Sequence, residues 1–172
     1  LQFRFTNFKI IWKVQTETIH SIRTGMMFRA LYIPEEYPSD AASYYSDYFN
    51  VDDKSYDMVF GHGMIDFVAF TGYEDDSENP VRVAPVHVAE KLISLTKGPI
   101  IFGHIHDYKE YKSQIFYTGS FTRYSFDTQE DKGFLIVEMD PGYDKEYEIF
   151  FYENDLAHTY GIINIDNIDA ET

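Results

Sequence analysis

The chain has 172 residues, enough for one domain with a core, and no cysteine. That excludes a disulfide scaffold and any thiolate metal site, and suits a reducing, cytoplasmic setting. A net charge of −15, with the 14 basic residues scattered, opposes generic coating of nucleic acid and favours attraction of cations.

In chain order, residues 1–14 alternate apolar and polar, with Phe3 and Phe5 in one phase and Phe8, Ile10, Trp12 and Val14 in another. The shift at Thr6-Asn7 predicts two strands meeting at a turn or bulge. Thr16–Ile22 continues less clearly, and Met26–Ile33 is a strand ended by Pro34. His20 reads as an ordinary strand residue. Pro34 to Pro38 is a connector, and Ser39 or Asp40 can cap a short helix through Phe49 whose tyrosines fall at helical spacing. Residues 72–80 carry Glu74, Asp75, Asp76 and Glu78 but match no EF-hand spacing, which makes them a solvated loop.

Pro85 can open a helix through Leu95, with Val88, Leu92 and Leu95 on one face and His87 toward solvent in its first turn. Asp107–Ser113 is a polar connector, and Gln114–Tyr117, Gly133–Met139 and Glu146–Tyr152 are strands, the last two joined at a Pro141-Gly142 turn. Ile162, Ile163 and Ile165 form a last strand or dock on a partner. No apolar stretch approaches a membrane span and no basic-then-apolar leader opens the chain, so no membrane partner is expected. Without internal repeats or low-complexity tracts, residues 1–172 read as a single domain. Oligomeric state is not legible.

The chemistry centres on Ile100-Ile101-Phe102-Gly103-His104-Ile105-His106. An apolar strand running into a glycine and two histidines at i and i+2 places both imidazoles on one side of the strand end, with Gly103 letting the backbone turn. Phe60-Gly61-His62-Gly63 repeats the pattern. In an open α/β sheet, sites form outside the carboxyl ends of strands, and neutral imidazole suits divalent metals.

With Tyr117-Thr118-Gly119-Ser120, Arg123 and Lys132-Gly133-Phe134 following in order, residues 28–140 resemble the closing part of a calcineurin-like metallophosphoesterase of the phage phosphoesterase or repair-nuclease type. The resemblance implies an α/β fold, the carboxyl-terminal part of a sandwich of two β-sheets flanked by helices. It implies His62 and His104 as ligands of one ion and His106 of another. The two ions would clamp a phosphoryl group and lower the pKa of the attacking water. Manganese is the expected metal, with iron, zinc, nickel and magnesium as alternatives that a histidine and carboxylate donor set does not separate.

The family's Asp-x-His, Gly-Asp-x-x-Asp and Gly-Asn-His patterns are absent. The chain opens at Leu1, so the expectation is a fragment whose missing ligands lie upstream and which binds metal poorly alone. Arg123 can grip a phosphate oxygen in catalysis or pair with a surface carboxylate. Gly119-Ser120 is a tight turn or a substrate contact. Asp57 and Asp66 can orient an imidazole, though capping is the commoner role. The expected substrate is a phosphate ester, a phosphodiester or nucleic acid before a phosphoprotein, with aromatic residues available to stack bases. The alternatives are a binding or scaffold module that lacks catalysis, and an unrelated β-rich protein with a chance Gly-His-x-His.

Overall fold

Short β-branched and aromatic runs set the architecture, which a computed structural model describes for residues 9–22, 24–35, 55–69, 86–123, 130–139 and 146–160. The elements are β1 (Gln15–His20), β2 (Met27–Ile33), β3 (Met58–His62), α1 (Asp66–Ala69), α2 (Ala89–Leu95), β4 (Ile100–Gly103), β5 (Tyr108–Tyr111), β6 (Ile115–Thr118), β7 (Gly133–Met139) and β8 (Tyr147–Glu153). Six strands form one sheet in the order β1-β2-β3-β4-β6-β5, and β7 and β8 pair as a separate antiparallel ribbon. The chain is therefore mixed α/β, mostly strand with few helices among the described residues.

Within the larger sheet β2, β3, β4 and β6 run parallel, and the two edge strands β1 and β5 are antiparallel to their neighbours. Parallel neighbours need long crossovers, and α1 and α2 lie in the one between β3 and β4. Register puts Leu31 beside Val59, Val59 beside Ile100 and Ile100 beside Ile115 on one face. Those residues, with Ile33, Phe102 and Tyr117, are buried with Leu92 and Leu95 of α2 in one core. Each such aliphatic burial contributes about 1.5–3 kcal/mol, which fixes the heights at which the parallel strands end.

Several expectations are corrected. Asp107–Ser113 is no mere connector, because Tyr108–Tyr111 pairs with β6 as an edge strand whose Lys109 and Glu110 face solvent. Lys112 and Ser113 take φ of 52° and 50° in the hairpin that joins them, a conformation usually left to Gly or Asn. Residues 9–14 form no strand, and Trp12 is exposed, although Val14 is buried. The helix expected from Pro85 begins at Ala89, and Ala89 takes the buried place expected of the exposed Val88. Thr16–Ile22, unclear in sequence, is a regular strand over Gln15–His20.

The first expected strand with its Thr6-Asn7 turn, the helix after Ser39, the loop at 72–80, the Pro141-Gly142 turn and the isoleucines from Ile162 lie outside the described residues. Among those described, no helix is long and apolar enough to cross a membrane.

Candidate metal centre at the carboxyl edge of the parallel strands

Because β2, β3, β4 and β6 are parallel, their carboxyl ends share one edge, where loops rather than ladder partners follow. β3 ends on His62, β4 is followed by His104, and β2 leaves through Pro34 into Glu35. The Glu35 carboxylate joins the two imidazoles. Its Oε2 lies 2.7 Å from Nδ1 of His62 and its Oε1 lies 3.4 Å from Nδ1 of His104. One ligand atom from each of the three residues falls within 4.8 Å of the others. The side chains are 18%, 52% and 33% exposed for Glu35, His62 and His104, so an ion can enter from solvent.

Two glycines make this approach possible. A Cβ on Gly61 would drive into the ring of Phe102, which lies across it from the neighbouring strand. A Cβ on Gly103 would stand 2.8 Å from Cδ2 of His62, so the imidazole lies against bare backbone of β4. The turn itself falls one residue later than the sequence suggests, since His104, not Gly103, has a positive φ of 104°. Strand alternation alone would put His104 on the face of Phe102, opposite His62. The left-handed backbone at His104 redirects its ring to meet His62 edge-on, with centroids 5.4 Å apart. Such a conformation costs of order 1–3 kcal/mol for a residue with a Cβ, a strain that gathers at functional sites.

Behind the edge, buried polar groups hold the loops. Tyr117 donates its hydroxyl to the carbonyl of Gly63 at 2.8 Å, and burial raises its pKa well above the usual phenol value. The carbonyl of His106 accepts from the Ser120 amide (2.9 Å), the Ser120 hydroxyl (3.2 Å) and the Lys132 ammonium (2.8 Å). His87, expected toward solvent, is buried beneath Gly63, its ring edge-on to Phe102 at 5.4 Å. Burial pushes its pKa down to about 4, against a smaller upward pull from Glu35.

An open cleft of about 830 Å³ runs past the centre, lined by His62, His104, His106, Ser120 and Phe121 among others. Of the sequence-predicted residues, His62 and His104 come together, while His106 lines the same cleft outside the three-residue cluster. Arg123 is not among the described residues lining it. Its guanidinium donates to the carbonyls of Glu130 (3.2 Å) and His158 (3.4 Å). Asp57 accepts the Arg29 amide at 2.8 Å, and Asp66 accepts the Ala89 amide at 3.0 Å, capping α2 from across the loop. The Ser120 hydroxyl lies 2.8 Å from the Thr122 carbonyl and 3.2 Å from that of His106, with one proton to share between them, and Ser120 also lines the cleft.

Glu35 was missed because it sits in a stretch that reads as a connector. The available signal was an acid immediately after the Pro34 that ends a strand. That signal means something only once β2 is known to be parallel to β3. No family model matches the chain, and no curated protein matches it.

Proposed function

We propose that the chain carries a divalent-metal centre of a calcineurin-like metallophosphoesterase acting on a phosphodiester. The observation behind this reading is the convergence of His62, His104 and Glu35 at the ends of parallel strands. Ligand atoms about 2.0–2.2 Å from one ion stand roughly 3 Å apart. The two Glu35 oxygens lie 2.7 and 3.4 Å from the two imidazole nitrogens, and one ligand atom from each of the three residues lies within 4.8 Å of the others, close enough for one ion to draw them in. Imidazole with carboxylate, and no thiolate, matches manganese, iron, zinc, nickel or magnesium, and manganese is proposed.

When bound, the metal supplies Lewis-acid stabilisation of a phosphoryl oxygen and activation of water. The chain's own residues do the rest. Glu35 would offset the cation's charge as the carboxylate ligand between the two imidazoles. Gly103 keeps His62 close to the strand, and the backbone at His104 fixes the angle of the second ring. His106 faces the same cleft, where a second ion is proposed. In this reading the site sits within a two-sheet sandwich, and the second ion takes donors beyond His106. Phe121, 57% exposed at the lip of the cleft, offers an aromatic face to a base beside the scissile phosphate.

The test is hydrolysis of bis(p-nitrophenyl) phosphate by the full protein with added manganese. Turnover should appear with the metal, vanish with a chelator and vanish in His104→Ala. Metal binding without turnover would support the binding-module alternative, and turnover unaffected by His104→Ala would refute the proposed centre.

A further inference from the structure

Lys132 is the one lysine or arginine that is buried among the described residues, with its side chain wholly out of solvent. Burying an ammonium costs several kcal/mol, which one ion pair with the one-third-exposed carboxylate of Asp107 offsets only in part. Its placement is therefore better explained by what it holds than by net stability. Nζ donates to the carbonyl of His106 at 2.8 Å and to Oδ1 of Asp107 at 2.9 Å, gripping two consecutive residues of the loop after β4. The backbone around Lys132 is fixed independently. The Gly133 amide donates to the Ser120 carbonyl at 3.2 Å, and the Asn154 amide donates to the carbonyl of Lys132 at 2.6 Å. The ammonium is thus a rigid post between the β7–β8 ribbon and the cleft wall.

We infer that Lys132 is a positioning residue for His106. Held by the Ser120 amide and the Lys132 ammonium, the His106 carbonyl is fixed, and the peptide plane sets the direction from which its imidazole enters the cleft. Ser120 anchors the same carbonyl from the β6 side, so loss of Lys132 frees the corner without unravelling it. The inference rests on the phosphoesterase reading only for its effect on turnover; the orientation of His106 does not depend on that reading.

The test is a set of long-range proton–nitrogen spectra of the histidine rings in ¹⁵N-labelled, metal-free full protein. In Lys132→Met the His106 ring signals should shift or split while those of His20 and His87 stay in place. With manganese and bis(p-nitrophenyl) phosphate, kcat should fall about 10–100-fold with KM held, the usual cost of losing a residue that supports a metal ligand. Asp107→Asn, which leaves the ammonium on the carbonyl, should leave the His106 signals unchanged. Lys132→Leu, which also lacks a donor, is read in the same way if the methionine variant does not fold. His106 signals in Lys132→Met or Lys132→Leu that superimpose on the wild type would overturn the inference, as would a His106 change in Asp107→Asn equal to that expected for Lys132→Met. Absence of hydrolysis in the wild type would count against the phosphoesterase reading and leave the spectra to decide this one.

Discussion

The same three residues, Phe-Gly-His, end two adjacent parallel strands, and the two copies do different work. In β3 the histidine is still in the strand and its ring lies over Gly103 of the neighbour. In β4 the histidine has left the strand with φ of 104°, and Phe102 before it fills the space over Gly61. The register, which pairs Gly61 with Phe102 and His62 with Gly103, interlocks the copies: each glycine is the slot for a ring from the other strand. Identical local sequence thus gives one histidine by strand geometry and one by backbone strain, and only together do they reach Glu35.

The largest expected effect separates the two slots. Gly61→Ala should destabilise the protein by about 2–3 kcal/mol in urea unfolding, because Phe102 is fully buried and cannot yield. Gly103→Ala should cost less than half as much, since the ring it meets is the half-exposed imidazole of His62, but it should weaken metal binding. Equal losses of stability would break the interlocking description.

Acid should find the buried ring behind both copies. The folded protein keeps His87 neutral down to about pH 4, whereas the unfolded chain takes up the proton near 6.5. The contribution of His87 to stability should therefore fall as pH drops from 6.5 toward 4, by about 3 kcal/mol, and stay constant below that. Urea unfolding across this range should show a shallower slope in His87→Gln. An unchanged slope would mean that the buried imidazole is not the acid-sensitive group.

A smaller, sign-reversing effect distinguishes the histidines themselves. At position 104 Gly should be more stable than Ala by about 1 kcal/mol, because only Gly relieves the positive φ. At position 62, inside a strand, Gly should be less stable than Ala by about 0.5–1 kcal/mol. The same sign at both sites would contradict the assignment of strain to His104. The smallest effect is expected at Arg123, whose two hydrogen bonds to exposed carbonyls are worth about 1 kcal/mol or less. Arg123→Ala should lower the unfolding midpoint slightly and leave KM for bis(p-nitrophenyl) phosphate unchanged, whereas a raised KM would restore the phosphate-gripping role.

What could be read in the sequence was local. The apolar runs before Gly61 and Gly103 showed two buried strands, and their histidines stood out because a glycine-histidine end is hard to explain as packing. Glu35 did not stand out, because its role depends on β2 lying parallel to β3, a pairing across more than the connector between them. The hairpin at Tyr108–Tyr111 was hidden by its own charges, which mark an edge strand as readily as a loop. His87 was misplaced because the helix begins at Ala89 rather than Pro85, which leaves His87 in a bridge to Ile65 and turns it inward.

Calorimetric titration of manganese into the metal-stripped full protein, repeated with Glu35→Ala, His104→Ala and His106→Ala, tests the central claim most directly. The wild type should show an ion whose binding weakens in Glu35→Ala and His104→Ala by more than the roughly 10–100-fold that losing an outer partner costs. That ion should be retained in His106→Ala, whose side chain lies outside the cluster. An isotherm for Glu35→Ala that matches the wild type would show that Glu35, His62 and His104 are not one metal site.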